Sequence, residues 1–247
     1  MEVALDHIGH LVDSLDDVAT KLLTAGFQLT PPVQLARGGG ERTGGVQQTF
    51  VTASGYVEVQ ELVEVGLGHP LEHLWQYRPV TAVVAWSTDD VVQAVTAARR
   101  AGHRTSDPVT WGRTTPNGEA RFSFASLLPP TDLTGPPGPL HVIVQHHDRD
   151  LVTASDQQPN SMSAIVGYRT ATCVVTALDL SIDPRALAEI TAPVETVIVR
   201  ADDAGRLVSA LSSIGIEPVD VSISPLPDAG TTLDARDLLG VLIEVSA

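Results

Sequence analysis

The sequence predicts an α+β fold built from tandem βαβββ modules. A 23-residue pattern occurs three times, at 5–27, 81–103 and 194–216. Aligned on their last glycine (Gly26, Gly102, Gly215), the copies each carry an Asp 13 positions earlier, at Asp13, Asp89 and Asp202. They share apolar residues 8, 7 and 4 positions before that glycine: Val18, Ala19, Leu22; Ala94, Val95, Ala98; and Leu207, Val208, Leu211. Alternating apolar runs separated by Gly- and Pro-rich turns follow every copy, and such self-similarity at fixed spacing marks a repeated structural unit.

Each copy opens on a β-branched, alternating run, which reads as a strand. The Asp, often doubled (Asp89-Asp90, Asp202-Asp203), places acceptor oxygens and negative charge at a helix start. The apolar residues at helical spacing form one buried stripe. The glycine closes the helix as a left-handed C-terminal residue. After Gly26 come FQLTPPVQLAR, a glycine-rich hairpin loop around Gly38–Gly45, VQQTFVTAS and YVEVQEL, which completes the module. After Gly102 come DPVTWGR, the turn TTPNGE, ARFSFASLL, a Pro/Gly loop and LHVIVQHH, in the same order. The expected organisation is a module at 1–76, a second at 77–150, a connecting or degenerate unit at 151–193 and a partial module at 194–247.

The formal charge is −15, and Lys21 is the single lysine against 14 arginines. That surface argues against nucleic-acid or anionic-membrane partners. No apolar run reaches the ~18–20 residues of a bilayer span. MEVALDH has no basic stretch followed by an apolar one, so no secretory signal is expected. The lone cysteine, Cys173, excludes an internal disulfide and reads as a small buried hydrophobe. Together these features predict a cytoplasmic protein and leave both a monomer and a homodimer open.

With HIGHLVDSLDD opening the first copy and GYVEVQEL closing its module, the chain resembles the vicinal oxygen chelate superfamily, which includes glyoxalase I, extradiol dioxygenases, and fosfomycin- and bleomycin-resistance proteins. The second copy, with PLHVIVQHH and QQPNSMSAI, resembles the glyoxalase-like domain family within it. The resemblance implies paired modules forming a concave sheet around a divalent metal. Typical ligands are a His on the first strand and a Glu on the fourth strand of each module.

Carried over residue by residue, the first-strand ligand is His7, 19 residues before Gly26. The same offset falls on Val83 and Thr196 in the other copies. The fourth-strand ligand is Glu58, which is also the candidate catalytic proton shuttle. An imidazole and a carboxylate suit Zn, Fe, Mn, Ni or Co. The second module ends without a carboxylate. Alternation groups His141, Ile143, Gln145 and His147 on one face, so Gln145, or His141 under a shifted alignment, can complete the metal site if that face looks inward. His10 and Glu61 read as solvent- or rim-facing, and the consecutive His146 and His147 as exposed.

Trp111 beside Gly112-Arg113 reads as near a pocket rim, and Trp86 as core. Arg113 is a candidate for an anionic substrate group or a turn-stabilising surface residue. No GxSxG or HExxH motif is present, so serine hydrolase and zincin chemistry have no support. Three functional readings stand. The first is a metal-assisted lyase or isomerase acting on an oxygen-rich small molecule. The second is a metal-free binding or antibiotic-resistance protein, and the third a metal-free secondary-metabolism enzyme using the same cavity.

Overall fold

The computed structural model describes residues 1–36, 41–115, 118–128, 137–151, 158–220 and 230–247. The first copy folds as β1 (Glu2–Leu11), α1 (Leu15–Thr24), β2 (Val33–Ala36), β3 (Arg42–Thr52) and β4 (Gly55–Leu62). The second follows as β5 (Val80–Ser87), α2 (Val91–Arg100), β6 (Arg104–Thr105), β7 (Val109–Thr115), β8 (Gly118–Leu128) and β9 (Leu140–His146). After β10 (Met162–Arg169), β11 (Val174–Val175), β12 (Ala177–Asp179) and α3 (Pro184–Ile190), the third copy gives β13 (Thr196–Ala201), α4 (Ala204–Ser212), β14 (Thr231–Ala235), α5 (Arg236–Leu239) and β15 (Val241–Ser246).

All three repeat helices end as their glycines demand, with φ of 80°, 92° and 86° at Gly26, Gly102 and Gly215. Their starts differ from the sequence expectation by one residue. Ser14, Asp90 and Asp203 are the N-caps, each accepting from the amide three residues on. The repeated Asp precedes the cap, and Asp13 instead pairs with Arg78 at 2.8 Å.

The first sheet runs β2-β3-β4-β1-β5-β9-β8-β6, with β7 also on β8 and β12 on β1. Within each module the first and last strands are parallel, β1 with β4 and β5 with β9. The two modules meet through the antiparallel β1–β5 pair. The second sheet, β11-β10-β13-β15-β14, repeats this logic: β13 is parallel to β15 and antiparallel to β10. The stretch between copies two and three therefore serves both sheets, since β12 joins the first and β10 the second. No described helix is long and apolar enough to cross a membrane.

One core joins the backs of both sheets. It contains the helix stripes Val18, Leu22, Ala94, Val95, Leu207 and Leu211 together with Ile8, Trp86 and Tyr168. Two histidines lie inside this interior. His10, expected at the rim, is 2 % exposed, and its Nδ1–H donates to the Leu239 carbonyl at 3.0 Å, tying β1 to α5. His141 is 1 % exposed; its Nδ1 accepts from Trp86 Nε1 at 3.1 Å, and its buried Nε2 has no partner.

Burial pushes the imidazole of His141 down to about 3. Burial, partly offset by the Leu239 hydrogen bond, pushes His10 down to about 4. Both values lie below the unfolded value of about 6.5, so the unfolded chain takes up protons first as the pH falls. The stability these neutral imidazoles support is whole above about pH 6.5 and is lost as the pH falls toward their folded values. Thermal melts are expected to show Tm falling between pH 6.5 and 4, with a shallower slope for His141→Gln. An unchanged slope in that variant removes His141 from the account.

Candidate functional site

The concave face of the first sheet holds a cavity of about 310 Å³. Its floor is set by β1 and β4. Alternation along β4 turns Tyr56, Glu58 and Gln60 to the same side, and all three line the cavity with His7. His7 stacks on Tyr56, with ring centroids 4.1 Å apart and planes at 18°. Its Nε2 lies 4.0 Å from Glu58 Oε2, which also accepts from Gln60 Nε2 at 2.8 Å. The structure thus brings His7 and Glu58 together. Gly9, beside both Glu58 and Val83 in the sheet, helps make room: a Cβ there would sit 3.1 Å from Val83 Cβ and 3.4 Å from Glu58 Oε2.

Asp6 controls how His7 is presented. Strict alternation would turn Asp6 and His7 to opposite faces. The β1–β5 register shifts between Leu5 and His7, and Asp6 is the extra residue of that bulge. Its carboxylate Oδ1 accepts from His7 Nδ1 at 2.8 Å and from His146 Nε2 at 3.0 Å, and Oδ2 accepts from Arg149 Nη1 at 3.1 Å. Burial alone would raise the Asp6 carboxyl, but the hydrogen bonds from His146 and His7 outweigh it and hold the group well below the usual carboxylate range. An ionised carboxylate can only accept, so both bonded imidazole nitrogens carry protons. That leaves His7 Nε2 and His146 Nδ1 as the ring nitrogens not bonded to Asp6. Asp6, His7 and His146 offer atoms within 4.8 Å of one another, close enough to hold a metal ion. In the present geometry that cluster is a hydrogen-bonded clamp, with His7 Nε2 left to face Glu58.

The second module faces the cavity with the opposite strand phase from the one expected. Leu140, Val142, Val144 and His146 line it. Gln145 turns away and caps the start of α2: its Oε1 accepts from Val91 N at 3.3 Å and its Nε2 donates to the Asp89 carbonyl at 2.7 Å. His141 lies in the core against Trp86. Neither meets His7, because β9 must bury Ile143 against the helices, and alternation then carries His141 and Gln145 to that side.

The register gives the true equivalents. His7 pairs with Tyr56 as Val83 pairs with Leu140, so Val142 stands where the first module has Glu58. By the same logic Glu244 in the second sheet matches Glu58, beside Thr196 at the His7 position. There Arg169 Nη2 and Nε donate to Glu244 Oε2 at 2.9 and 3.0 Å, forming a buried ion pair.

Trp111 lines the cavity and packs edge-on to Phe124, with centroids 4.9 Å apart. Arg113 lies on β7 opposite Ala120, and its side chain falls outside the described residues, as do Gly38–Gly40 of the glycine-rich loop. Glu61, expected at the rim, accepts from the Leu15 amide at 2.7 Å. Cys173 is half-buried, with Sγ 3.2 Å from Thr170 Oγ1. Sequence reasoning missed Asp6 and His146. The adjacent pair Asp6-His7 carried the signal, but the bulge that puts both on one carboxylate–imidazole network does not show in a strand pattern.

The model of the glyoxalase-like domain matches residues 5–179, which reach all ten strands of the first sheet but leave out the start of β1. The chain belongs to the glyoxalase-like domain family. Among solved structures, this glyoxalase-like protein is similar to a variant of 4-hydroxymandelate synthase from Streptomyces coelicolor, at 12 % identity over 99 % of this chain and 92 % of that one, with a TM-score of 0.54. It is also similar to a hypothetical protein from Staphylococcus aureus, at 13 % identity over 98 % and 84 %, TM-score 0.49. A methylmalonyl-CoA epimerase from Streptomyces coelicolor matches at 20 % identity over 60 % and 99 %, TM-score 0.42. No curated protein matches the chain. At 12 % identity the likeness to the 4-hydroxymandelate synthase variant is one of fold alone.

Proposed function

We propose that this glyoxalase-like protein is a metal-assisted lyase or isomerase acting on a small oxygen-bearing molecule. The observation that carries this reading is the His7–Glu58 pair, 4.0 Å from Nε2 to Oε2 on the cavity floor. Two metal–ligand bonds of ~2.1 Å can span that separation. Asp6 fits the same purpose, because a carboxylate on the far nitrogen of a ligating His fixes its tautomer and raises its basicity. The donor set therefore fits a divalent metal held by His7 and Glu58, of the Zn, Fe, Mn, Ni or Co class. Val83 and Val142 contribute no ligand, which leaves coordination positions for substrate, as in catalytic rather than structural sites.

When bound, such a metal supplies Lewis acidity toward a carbonyl or enol oxygen. The chain's own residues supply the rest. Tyr56 and Asp6 fix the His7 ring between stacking and hydrogen bonding. Gln60 orients the Glu58 carboxylate, which takes up a substrate proton and returns it. The surrounding apolar side chains exclude water. Both modules that build the cavity lie on one chain, so a monomer and a homodimer each leave it complete.

The apolar pair Val83 and Val142 favours a second reading, a metal-free binding or resistance protein, or a metal-free secondary-metabolism enzyme, using the same cavity. Elemental analysis of tag-free protein separates the two. Near-stoichiometric metal in the parent, lost in His7→Ala and Glu58→Gln, is the expected result. A parent that stays metal-free after incubation with Zn²⁺, Mn²⁺, Fe²⁺, Ni²⁺ or Co²⁺ and dialysis sinks the metal reading in favour of the second.

A further inference from the structure

Residues 63–79, which join the two modules, form a strap on the concave side of the first sheet. Its inward side chains are Leu71 and Leu74, 2 % and 0 % exposed. They belong to one apolar cluster with Leu11, Leu62, Val83 and Val142. Val83 and Val142 hold the second module's counterparts of the His7 and Glu58 positions. Where the first module has a polar pair, the second therefore has hydrocarbon packed with the strap.

The strap is fastened along its length. At its start, the Val63 and Glu64 amides donate to the Gly44 carbonyl at 2.9 and 3.3 Å, and a Cβ on Gly44 would overlap the Glu64 carbonyl. In its middle, Glu72 Oε1 accepts from the Gly66 and His69 amides at 2.9 and 3.1 Å, and His69 Nδ1 accepts from the Leu71 amide at 3.1 Å. At its end, Arg78 pairs with Asp13 at 2.8 Å and lies 4.0 Å over the Trp75 ring. Gly45 is the seat of His69, because a Cβ there would sit 2.8 Å from His69 Nε2. The Gly45 backbone is not left-handed, so the residue is a glycine for room. Gly44-Gly45, part of the glycine-rich run of the sequence, thus serves to seat the strap.

The strap stands at one end of the cavity. Register sets Glu58 opposite Thr49, Gln60 opposite Gln47, and Leu62 opposite Gly45, with all three pairs facing the same side. Along this row the His7–Glu58 pair comes first. The seat of His69 comes last, about 13 Å further along the strand from the rise per residue. His146, with its ring 6.1 Å from Tyr56, lies at the His7 end. His69, Pro70 and Leu71 line the other end. The side walls between them are Val33 and Leu35 of β2, and Trp111, Phe122 and Phe124 of β7 and β8.

We propose that the strap sets the length of ligand the cavity admits, with Leu71 as the specificity-determining residue that stops the ligand's far end. Anchoring of the near end at His7–Glu58 rests on the function proposed above. The stop at Leu71 rests on the packing of the strap alone. Each methylene buried short of Leu71 adds about fourfold to affinity. A carbon beyond it must displace a buried leucine from a fastened segment, and overpacking of that kind opposes binding.

The test is calorimetric titration of the tag-free full chain, with and without Zn²⁺, using the series from 4-methylphenol to 4-heptylphenol. Affinity is expected to rise about fourfold per carbon and then to stop rising at one chain length. Leu71→Ala is expected to move that stop out by about two carbons, the depth of side chain it removes. Leu71→Val, which loses less packing, is expected to move it by about one and keeps the test open if the alanine variant does not fold. A rise that continues through 4-heptylphenol in the parent overturns the proposal. So does a stop that stays put in every folded Leu71 variant, or failure of every probe to bind up to its solubility. A stop that moves with Leu71 while binding is indifferent to Zn²⁺ and to His7→Ala upholds the strap and removes the metal reading, so the two failures are distinguishable.

Discussion

Replacing Asp6 by alanine is expected to destabilise the fold by about 3–5 kcal/mol, the range for removing one partner of a buried charge network. The Asp6 side chain is 1 % exposed and holds three donors: His7 Nδ1, His146 Nε2 and Arg149 Nη1. Arg149 is 42 % exposed and also donates to Ser87 Oγ, so it can turn to water. The two imidazoles, 7 % and 4 % exposed, cannot, and their N–H groups are left orphaned. Asp6→Asn keeps the shape but loses the charge, and is expected to cost less. Because the folded carboxyl is held low, Asp6 contributes its stability in full above its unfolded value of about 3.9, and loses it only as the pH falls below that. It therefore stays ionised while His10 and His141 titrate. Losing the carboxylate behind His7 is also expected to weaken metal affinity 10–100-fold. Urea unfolding and Zn²⁺ titration of both variants check the two effects separately. A full-strength Zn²⁺ site in folded Asp6→Ala would show that the clamp does not act through His7.

Trp86→Ala is expected to cost about 3–5 kcal/mol from the core void alone, with a further ~1–3 kcal/mol from the hydrogen bond it orphans. Trp86 is fully buried on β5, between Leu5 of β1 and Ile143 of β9. It stacks on His141 at 6.0 Å and meets Tyr168 of the second sheet at 6.2 Å, so it is a joint between the two sheets. Its Nε1–H is the donor to His141 Nδ1, whose other nitrogen is already without a partner. Removing Trp86 leaves a buried imidazole with neither nitrogen satisfied. Trp86→Phe restores most of the volume but not the donor, so it isolates the hydrogen-bond share. Urea midpoints at constant m-value measure both variants. A Trp86→Ala loss below about 2 kcal/mol would mean that the two sheets relax into the void.

The repeat made the fold legible. The Asp-stripe-Gly pattern encodes a helix start, a buried face and a left-handed stop, and each of these is a local property of the chain. His7 and Glu58 were legible through the family resemblance, which points to the first- and fourth-strand positions, and both line the cavity with Trp111. His141 and Gln145 were misplaced because their strand, LHVIVQHH, is apolar on both faces: Ile143 packs under the helices while Val142 and Val144 line the cavity. With hydrocarbon on both sides, alternation fixes the two sets of residues but not which set faces inward. His10 and His146 were misjudged for a related reason, since burial at a strand end depends on what packs there from elsewhere in the chain.

The sequence by itself determined the module, its tandem repetition and the asymmetry between His7 in one copy and Val83 in the next. These follow from periodicity, capping and turn chemistry, which act over a few residues. Only the tertiary structure decided the phase of β9 and the bulge that turns Asp6 toward His7 and His146. Those depend on register between strands about 50 to 140 residues apart, such as β1 with β4 and Asp6 with His146, and register is set by packing across the sheet rather than by any one segment.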